Sequence, residues 1–249
     1  MVSASKKYFL NRLRMLDFLE KLAGIQDEQF HTLYLPPRTA AVRKGLPEIS
    51  SGFNGIAAEM DKTTGGSITG GVIFWGNQSR YLIVPPFPVA EKLTVDSLKI
   101  EPLKMLLSKN YIIGVVLVRL GSYAIGVCRG EKLITSKVGT GLVHGRHRQG
   151  GSSAHRFERH RDKQIETFMT RVCGHAREQL EPYVKSIDYM VYGGARTTIL
   201  LTQKYCPFLG KIDKPTLPPL LDIPEPRKPV LETSIGRIWS GEIYEWTDN

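Results

Sequence analysis

The first third of the chain combines one amphipathic segment with several short apolar runs. Apolar residues recur at helical spacing over residues 9–22, with Arg12, Asp17 and Glu20 between them, which predicts an amphipathic helix ended by Gly24. Residues 32–35 predict a strand, residues 72–75 and 81–84 a β-hairpin, and residues 103–107 a brief helix. A Gly- and Ser-rich stretch with a helical patch at 56–60 separates the first strand from the hairpin. We therefore expect a small N-terminal α+β unit over residues 1–109.

The middle of the chain changes to closely spaced strand patterns. Residues 111–119, 122–129 and 132–139 predict a three-stranded meander, followed by a polar, glycine-rich loop over 139–151. A long amphipathic helix comes next, because one helical face holds Ile165, Phe168, Met169, Val172, Cys173, Ala176 and Leu180. A strand over 189–192 and a helix over 197–204 complete the region. This order predicts an α/β fold, with an α+β mixed sheet covered by helices, over residues 110–206.

The last part of the chain, residues 207–249, is expected to be a proline-rich extension. Seven prolines lie between Pro207 and Pro229, so this stretch cannot be one regular element, and we expect an extended or polyproline course over the domain. The alternation of apolar residues over 234–246 predicts that the chain returns as a strand or hairpin.

Composition narrows the functional classes. The chain has 249 residues, 41% of them hydrophobic, and a net charge of +10, which predicts a folded core and a polyanionic partner, most simply RNA. No apolar run approaches the ~20 residues that span a bilayer, so no membrane segment is expected. Its three cysteines have no CxxC or zinc-ligand spacing. We expect no disulfide framework, free thiols and a reducing, cytoplasmic location.

Residues 143–161 carry the candidate chemistry. They hold five arginines, four of the six histidines and a single acidic residue. Gly150 and Gly151 stand directly before the long helix, where exposed N–H groups attract phosphate, and Ser152 or Ser153 can cap that helix. The histidines have no carboxylate at a ligand spacing, so RNA contacts are favoured over a metal site, and no cofactor is expected. The loop is therefore suited to holding an RNA end.

The sequence of this loop resembles a known family. The run Gly-Gly-Ser-Ser-Ala-His-Arg-Phe-Glu-Arg-His-Arg from Gly150 is similar to the GGQ loop of eukaryotic and archaeal peptide-chain release factors, which reads GGQSA, an apolar residue and RFAR. The release-factor glutamine is replaced by Ser152, whereas Gln149 precedes the glycines. The order Gly-Arg-His-Arg-Gln-Gly-Gly looks like the Vms-like branch, peptidyl-tRNA hydrolases that rescue nascent chains on stalled large ribosomal subunits. The resemblance covers residues 111–205 well and 30–100 weakly, and implies the release-factor central-domain fold.

The resemblance implies hydrolysis of the ester between a nascent peptide and the terminal ribose of tRNA. Gln149 would orient water or the leaving hydroxyl, because a neutral amide cannot accept a proton, while Gly150 and Gly151 let the loop enter a narrow cavity. The expected RNA contacts are Arg146, His147, Arg148, Ser152, Ser153, Arg156 and Arg159. The expected partners are the large ribosomal subunit, its rRNA and peptidyl-tRNA, bound by a monomer.

Two other functions remain open from the sequence. The same loop could direct cleavage of the tRNA at its CCA end, which differs only in the bond broken. A non-catalytic ribosome- or RNA-binding module is favoured by Ser152 and opposed by Gln149. Two-metal nuclease chemistry ranks low, because the meander offers only Glu131, in a turn.

Overall fold

A computed structural model describes residues 6–25, 29–46, 53–145 and 154–247. The described residues form ten strands: β1 (Lys6–Leu10), β2 (His31–Leu35), β3 (Gly71–Trp75), β4 (Ser79–Val84), β5 (Leu93–Val95), β6 (Ile112–Arg119), β7 (Ser122–Arg129), β8 (Lys132–Thr140), β9 (Tyr189–Gly193) and β10 (Gly241–Thr247). The helices there are α1 (Arg12–Ala23), α2 (Val42–Gly45), α3 (Phe53–Gly66), α4 (Glu101–Ser108), α5 (Ala154–Leu180), α6 (Arg196–Tyr205), α7 (Pro207–Gly210) and α8 (Lys228–Ile238), with a 3-10 turn at Glu181–Tyr183.

The chain forms two compact units. The first comprises residues 1–109 and 236–249, and the second comprises residues 110–235. The stretch 207–249, expected as one extension, is therefore shared between the two units.

The first unit is built on a six-stranded antiparallel sheet in the order β1-β10-β4-β3-β2-β5. Side chains alternate between its faces, as strand geometry requires. One face, with Tyr34, Val72 and Phe74, packs with the buried side chains of α1 and α4. The other face, with Leu33, Ile73 and Trp75, packs with those of α2 and α3. Helices thus cover both faces of this sheet.

The start of the chain differs from its predicted helix. Phe9 and Leu10 lie in β1, which pairs with β10, and the helix begins only at Arg12. The side chain of Asn11 accepts a hydrogen bond from the N–H of Arg14 at 3.0 Å and so caps α1. Pairing with a strand more than 230 residues away overrides the local helical spacing, so the prediction is wrong for residues 9 and 10. The helix over 53–66 is also longer than the predicted patch at 56–60.

The second unit contains the mixed sheet, in the order β8-β7-β6-β9. The pairs β8–β7 and β7–β6 are antiparallel, whereas β9 runs parallel to β6. The predicted meander, long helix and following strand are therefore confirmed, as is the mixed α/β fold. The face of α5 that carries Phe168, Val172 and Ala176 is buried in one core with alternating residues of β6 and β7. This packing fixes α5 along its length on the sheet.

The proline-rich stretch is partly extended and partly helical. Thr216 and Leu221 form isolated parallel bridges with Met190 and Gly193, so this segment runs beside β9 as expected. The strand predicted over 234–246 is correct for β10 and wrong for residues 234–238, which belong to α8. The spacing of the buried Leu231, Ser234 and Ile235 is helical, which explains the difference.

The cysteines also differ from expectation. Cys173 on α5 and Cys206 after α6 form a disulfide with a Cα–Cα distance of 5.1 Å, and Cys128 is a buried free thiol. The packing of α5 with α6 brings together two residues 33 positions apart, which spacing does not reveal. The prediction of free thiols is wrong for this pair, so the cysteines no longer support a reducing location. Among the described residues, no helix has the length and apolar character needed to cross a membrane.

Candidate active site

The candidate loop connects the end of β8 to the start of α5. The structure describes both ends of this connection, up to Gly145 and again from Ala154. All three predicted catalytic residues and five predicted RNA contacts lie outside the described residues: Gln149, Gly150, Gly151, Arg146, His147, Arg148, Ser152 and Ser153. Arg156 and Arg159 are described, and both are exposed on the first turns of α5. The described residues therefore form the base of the loop, at both of its ends.

The strand side of the base is held by backbone contacts. Thr140 is the last residue of β8 paired with β7, and the N–H of Gly141 then donates to the carbonyl of Gly121 at 2.9 Å. The Nη1 of Arg171 on α5 donates to the carbonyl oxygen of Thr140 at 2.8 Å. A Cβ on Gly141 would lie 2.7 Å from Cδ2 of the buried Phe168, so glycine allows this close approach. The loop thus leaves the sheet against the middle of α5.

The next contact lies nearer the loop tip, at His144. Its backbone N–H donates to Oε1 of Gln164 at 3.1 Å, and its carbonyl accepts from Nε of Arg161 at 2.9 Å. The ring of His144 lies 6.5 Å from that of His160, centroid to centroid. Both backbone polar groups of one residue are therefore bound by α5. This arrangement, which we call the His144 clamp, defines where the loop 146–153 begins.

The exposed face of α5 beside the clamp is basic. Arg156, His160, Lys163, Thr167 and Arg171 are exposed and follow one another at steps of three or four residues, which places them on one helical face. The acidic residues of this part of α5 are Glu158, Asp162 and Glu166, which form their own i, i+4 row roughly 140° away around the helix. The basic face is therefore suited to a polyanion.

A polar cluster lies further along the same helix. The Nδ1 of His175 lies 3.0 Å from a carboxylate oxygen of Glu178, and this hydrogen bond lowers the pKa of Glu178. The His175 ring stacks on Tyr123 at a centroid distance of 5.8 Å, and burial raises the pKa of that phenol. Thr135 donates to Oε1 of Gln179 at 2.5 Å. The Tyr123 and Thr135 contacts join the meander to the C-terminal half of α5.

Comparison with known proteins identifies the family. A family model described as acVLRF1, Actinobacteria/chloroflexi VLRF1 release factor, matches residues 112–244, more than half of the chain. The chain belongs to this release-factor family. The matched region includes the meander, the candidate loop and all of α5.

Archaeal release factors are among the curated proteins similar to this chain. Peptide chain release factor subunit 1 of Archaeoglobus fulgidus is 30% identical over 222 residues, which are 78% of this chain and 54% of the relative. The same subunit of Thermococcus sibiricus is 31% identical over 143 residues, which are 52% of this chain and 34% of the relative. The chain thus spans about half, or less, of the length of these relatives.

Solved structures of translation factors have detectable likeness to this chain. The archaeal translation termination factor aRF1 matches 92% of this chain and 73% of its own at 16% identity, with a TM-score of 0.36. The Pelota protein of Thermoplasma acidophilum matches 90% of this chain and 62% of its own at 11% identity, with a TM-score of 0.27. Both scores are too low to support a statement about fold or function.

Four residues at the base of the loop were not among the sequence-predicted site residues. Gln164 and Arg161 bind the clamp, Lys163 lies on the basic face, and Arg171 binds the end of β8. The sequence did indicate Lys163 and Arg171, because both continue the helical spacing that begins at Arg156. Gln164 carried no signal, since its partner is a backbone group 20 residues away.

Proposed function

We propose that this release factor is a peptidyl-tRNA hydrolase that frees nascent chains from tRNA on stalled large ribosomal subunits, as the Vms-like branch does. One observation carries the proposal. The sequence Gln149-Gly150-Gly151 lies between two ends that are fixed by the His144 clamp and by α5, inside the region that matches the family model. A loop fixed at its base and rich in glycine can reach into a narrow site while its position on the protein is retained.

The chemistry required of the loop is modest. A peptidyl-tRNA ester is already activated, so a positioned water and a stabilised oxyanion are sufficient without a covalent nucleophile. The Gln149 amide offers a carbonyl acceptor and two N–H donors, with which it would orient the water or the leaving ribose hydroxyl. Backbone N–H groups at Gly150 and Gly151 would face the reacting ester at close range. In this proposal Ser152 or Ser153 caps α5, and both serve as RNA contacts.

Affinity for the substrate complex would come from the basic residues. Arg146, His147 and Arg148 before the glycines, and Arg156 and Arg159 after them, would contact phosphates of tRNA and rRNA. Arg156 and Arg159 support this role because both are exposed on the first turns of α5. The proposed partners are the large ribosomal subunit, its rRNA and peptidyl-tRNA, with the protein acting as a cytoplasmic monomer.

The experiment that tests this function compares wild type with Gln149→Ala. Each is incubated with purified large subunits carrying labelled peptidyl-tRNA, and peptide, intact tRNA and shortened tRNA are resolved on one gel. Gln78→Ala, in the exposed turn between β3 and β4, is the matched control. We expect free peptide and full-length tRNA with wild type and the control, and a rate lower by about 10²-fold with Gln149→Ala.

Three other outcomes would contradict this function or the role of Gln149 in it. Peptide still attached to a short CCA fragment would make the protein a tRNA endonuclease. Absence of cleavage with intact subunit binding, also after cell extract is added, would make it a binding module that lacks the reaction. Equal activity of wild type and Gln149→Ala would remove Gln149 from the mechanism.

A further inference from the structure

A cleft lies between the base of the loop and α5, within the second unit. Its volume is about 260 Å³, and its lining consists of Gly141, Leu142, His160, Lys163, Gln164, Thr167, Phe168 and Arg171. One wall is the chain just after β8, and the other is three turns of α5. The cleft therefore opens beside the His144 clamp, at the root of the candidate loop.

The polar groups of the cleft are suited to an anion. Lys163 and Arg171 carry positive charge, His160 can carry it, and Gln164 and Thr167 supply an amide and a hydroxyl. The lining includes no carboxylate, and no described carboxylate forms an ion pair with Lys163 or Arg171. Arg171 uses Nη1 for Thr140, which leaves further guanidinium N–H groups for a ligand. Such a set matches the charge and donor needs of phosphate.

The spacing of these groups fits a strand rather than one small ion. Lys163, Thr167 and Arg171 succeed one another every four residues, so the row rises about 12 Å along α5. This length accommodates more than one phosphate of a nucleic-acid strand. The row also continues the basic face from Arg156 and His160 past the clamp to the end of β8. A chain-like anion could thus contact the helix over several turns.

The apolar part of the cleft adds a contact for a sugar or base. Leu142 is 70% exposed although it lines the cleft, and it lies in the same wall as Gly141. Phe168 forms the floor and is almost fully buried. An exposed leucine beside two cations therefore offers an apolar contact next to phosphate contacts.

We propose that this cleft binds the sugar-phosphate backbone of a single RNA strand. Lys163 and Arg171 contact its phosphates, Thr167 adds a hydrogen bond, and Leu142 packs against the adjoining ribose or base. The proposal rests on the proposed function and extends it, because it assigns a second RNA contact at the root of the loop. Ribosomal RNA and tRNA share this chemistry, and the experiment distinguishes them.

The test uses two charge reversals of equal size in the full chain. Lys163→Glu changes the cleft, whereas Lys132→Glu changes an exposed lysine at the opposite end of β8. Thr167→Glu places a negative charge in the cleft at an exposed position and serves as an independent variant. Binding is measured against salt concentration for three ligands: vacant large subunits, subunits carrying peptidyl-tRNA, and a short single-stranded RNA. Circular dichroism checks the folding of each variant.

We expect Lys163→Glu and Thr167→Glu to raise the dissociation constant for RNA about five- to tenfold. Lys163→Glu should also reduce the salt slope by about one, because a phosphate contact is lost. Lys132→Glu should change the constant less than twofold. A loss on vacant subunits identifies ribosomal RNA as the ligand, and a loss only on loaded subunits identifies tRNA. Equal effects of Lys163→Glu and Lys132→Glu on all three ligands would overturn the proposal.

The same variants separate this proposal from the proposed function. If wild type releases no peptide and Lys163→Glu still weakens binding of the short RNA, RNA binding by the cleft is supported and the hydrolase function is refuted. If wild type releases peptide and the cleft variants bind every RNA with the same affinity as Lys132→Glu, the hydrolase function is supported and RNA binding by the cleft is refuted.

Discussion

The backbone N–H of His144 donates a hydrogen bond of 3.1 Å to the side chain of Gln164 on α5. Together with the bond from Arg161 to the His144 carbonyl, it fixes the last described part of the chain before the candidate loop. Gln164 is half-buried and follows the basic face at Lys163, so one turn of helix both holds the loop and presents charge. The position of the loop is therefore coupled to α5 rather than to the sheet alone.

Replacing Gln164 should impair release more than binding. Gln164→Leu removes the acceptor for the His144 N–H, and we expect about 1 kcal/mol less stability. The rate of peptide release at saturating protein should fall roughly tenfold or more, because a misplaced loop loses alignment. Gln164→Glu keeps an acceptor oxygen and should restore most of the rate at saturating protein, although its negative charge in the cleft should weaken RNA binding. Single-turnover release and subunit binding measure the two effects, and equal losses in both variants would refute the positioning role.

Two glycines of the second unit should respond to alanine in opposite directions. Gly194 has φ +121°, and a Cβ there would lie 2.0 Å from the carbonyl oxygen of Val118, a backbone atom that cannot move aside. Gly174 lies in the middle of α5, with open space where its Cβ would be. We expect Gly194→Ala to lower the free energy of unfolding by more than about 2 kcal/mol. Gly174→Ala should raise it by about 0.5–1 kcal/mol, as measured by urea unfolding. Changes of the same sign would contradict this assignment.

The Cys173–Cys206 disulfide should make the stability of the second unit depend on reductant. Closing a loop of this length restricts the unfolded chain, so reduction should lower the free energy of unfolding by about 2–4 kcal/mol. Cys206→Ser should remove the response to dithiothreitol. Thiol titration of the unreduced, denatured protein should count one free cysteine, and a count of three would show that the bond is absent.

Cys128 should resist alkylation in the folded protein. Burial raises the pKa of its thiol to about 12, although hydrogen bonds to backbone groups act in the opposite direction. The folded-state pKa is above the ordinary value of 9.0, so the neutral thiol is favoured. This contribution to stability is complete below pH 9 and is lost as the pH rises towards 12. At pH 9 about one thiol in a thousand is ionised, so iodoacetamide should label Cys128 only after unfolding. Rapid labelling of native protein at pH 9 would contradict the burial.

Features with a local cause could be predicted from the sequence. The meander and α5 follow from alternation and from helical spacing, because each buries a single face against one core. The loop's candidate residues came from a motif with a resemblance to release factors. The placement of Gln149, Gly150 and Gly151 remains a prediction, since these residues lie outside the described part of the chain.

Features with a distant cause could not be predicted. Phe9 belongs to a strand because residue 242 pairs with it, and Cys173 is bonded because the turn after α6 brings Cys206 close. Gln164 contributes to the site because its side chain accepts a hydrogen bond from the backbone N–H of His144, 20 residues earlier. No pattern within a window of ten or twenty residues carries these pairings, because tertiary structure creates them.

The position of β10 has a consequence for how the protein is made. This strand lies between β1 and β4, inside the first unit's sheet, yet it follows all of the second unit in sequence. A ribosome therefore has to synthesise the whole second unit before the first unit can complete its hydrogen bonds. Until β10 is made, β1 lacks the strand it pairs with and β4 has one unpaired edge, while the second unit is free to fold. The first unit, although its synthesis begins first, can therefore complete its sheet only after residues 241–247 have been made.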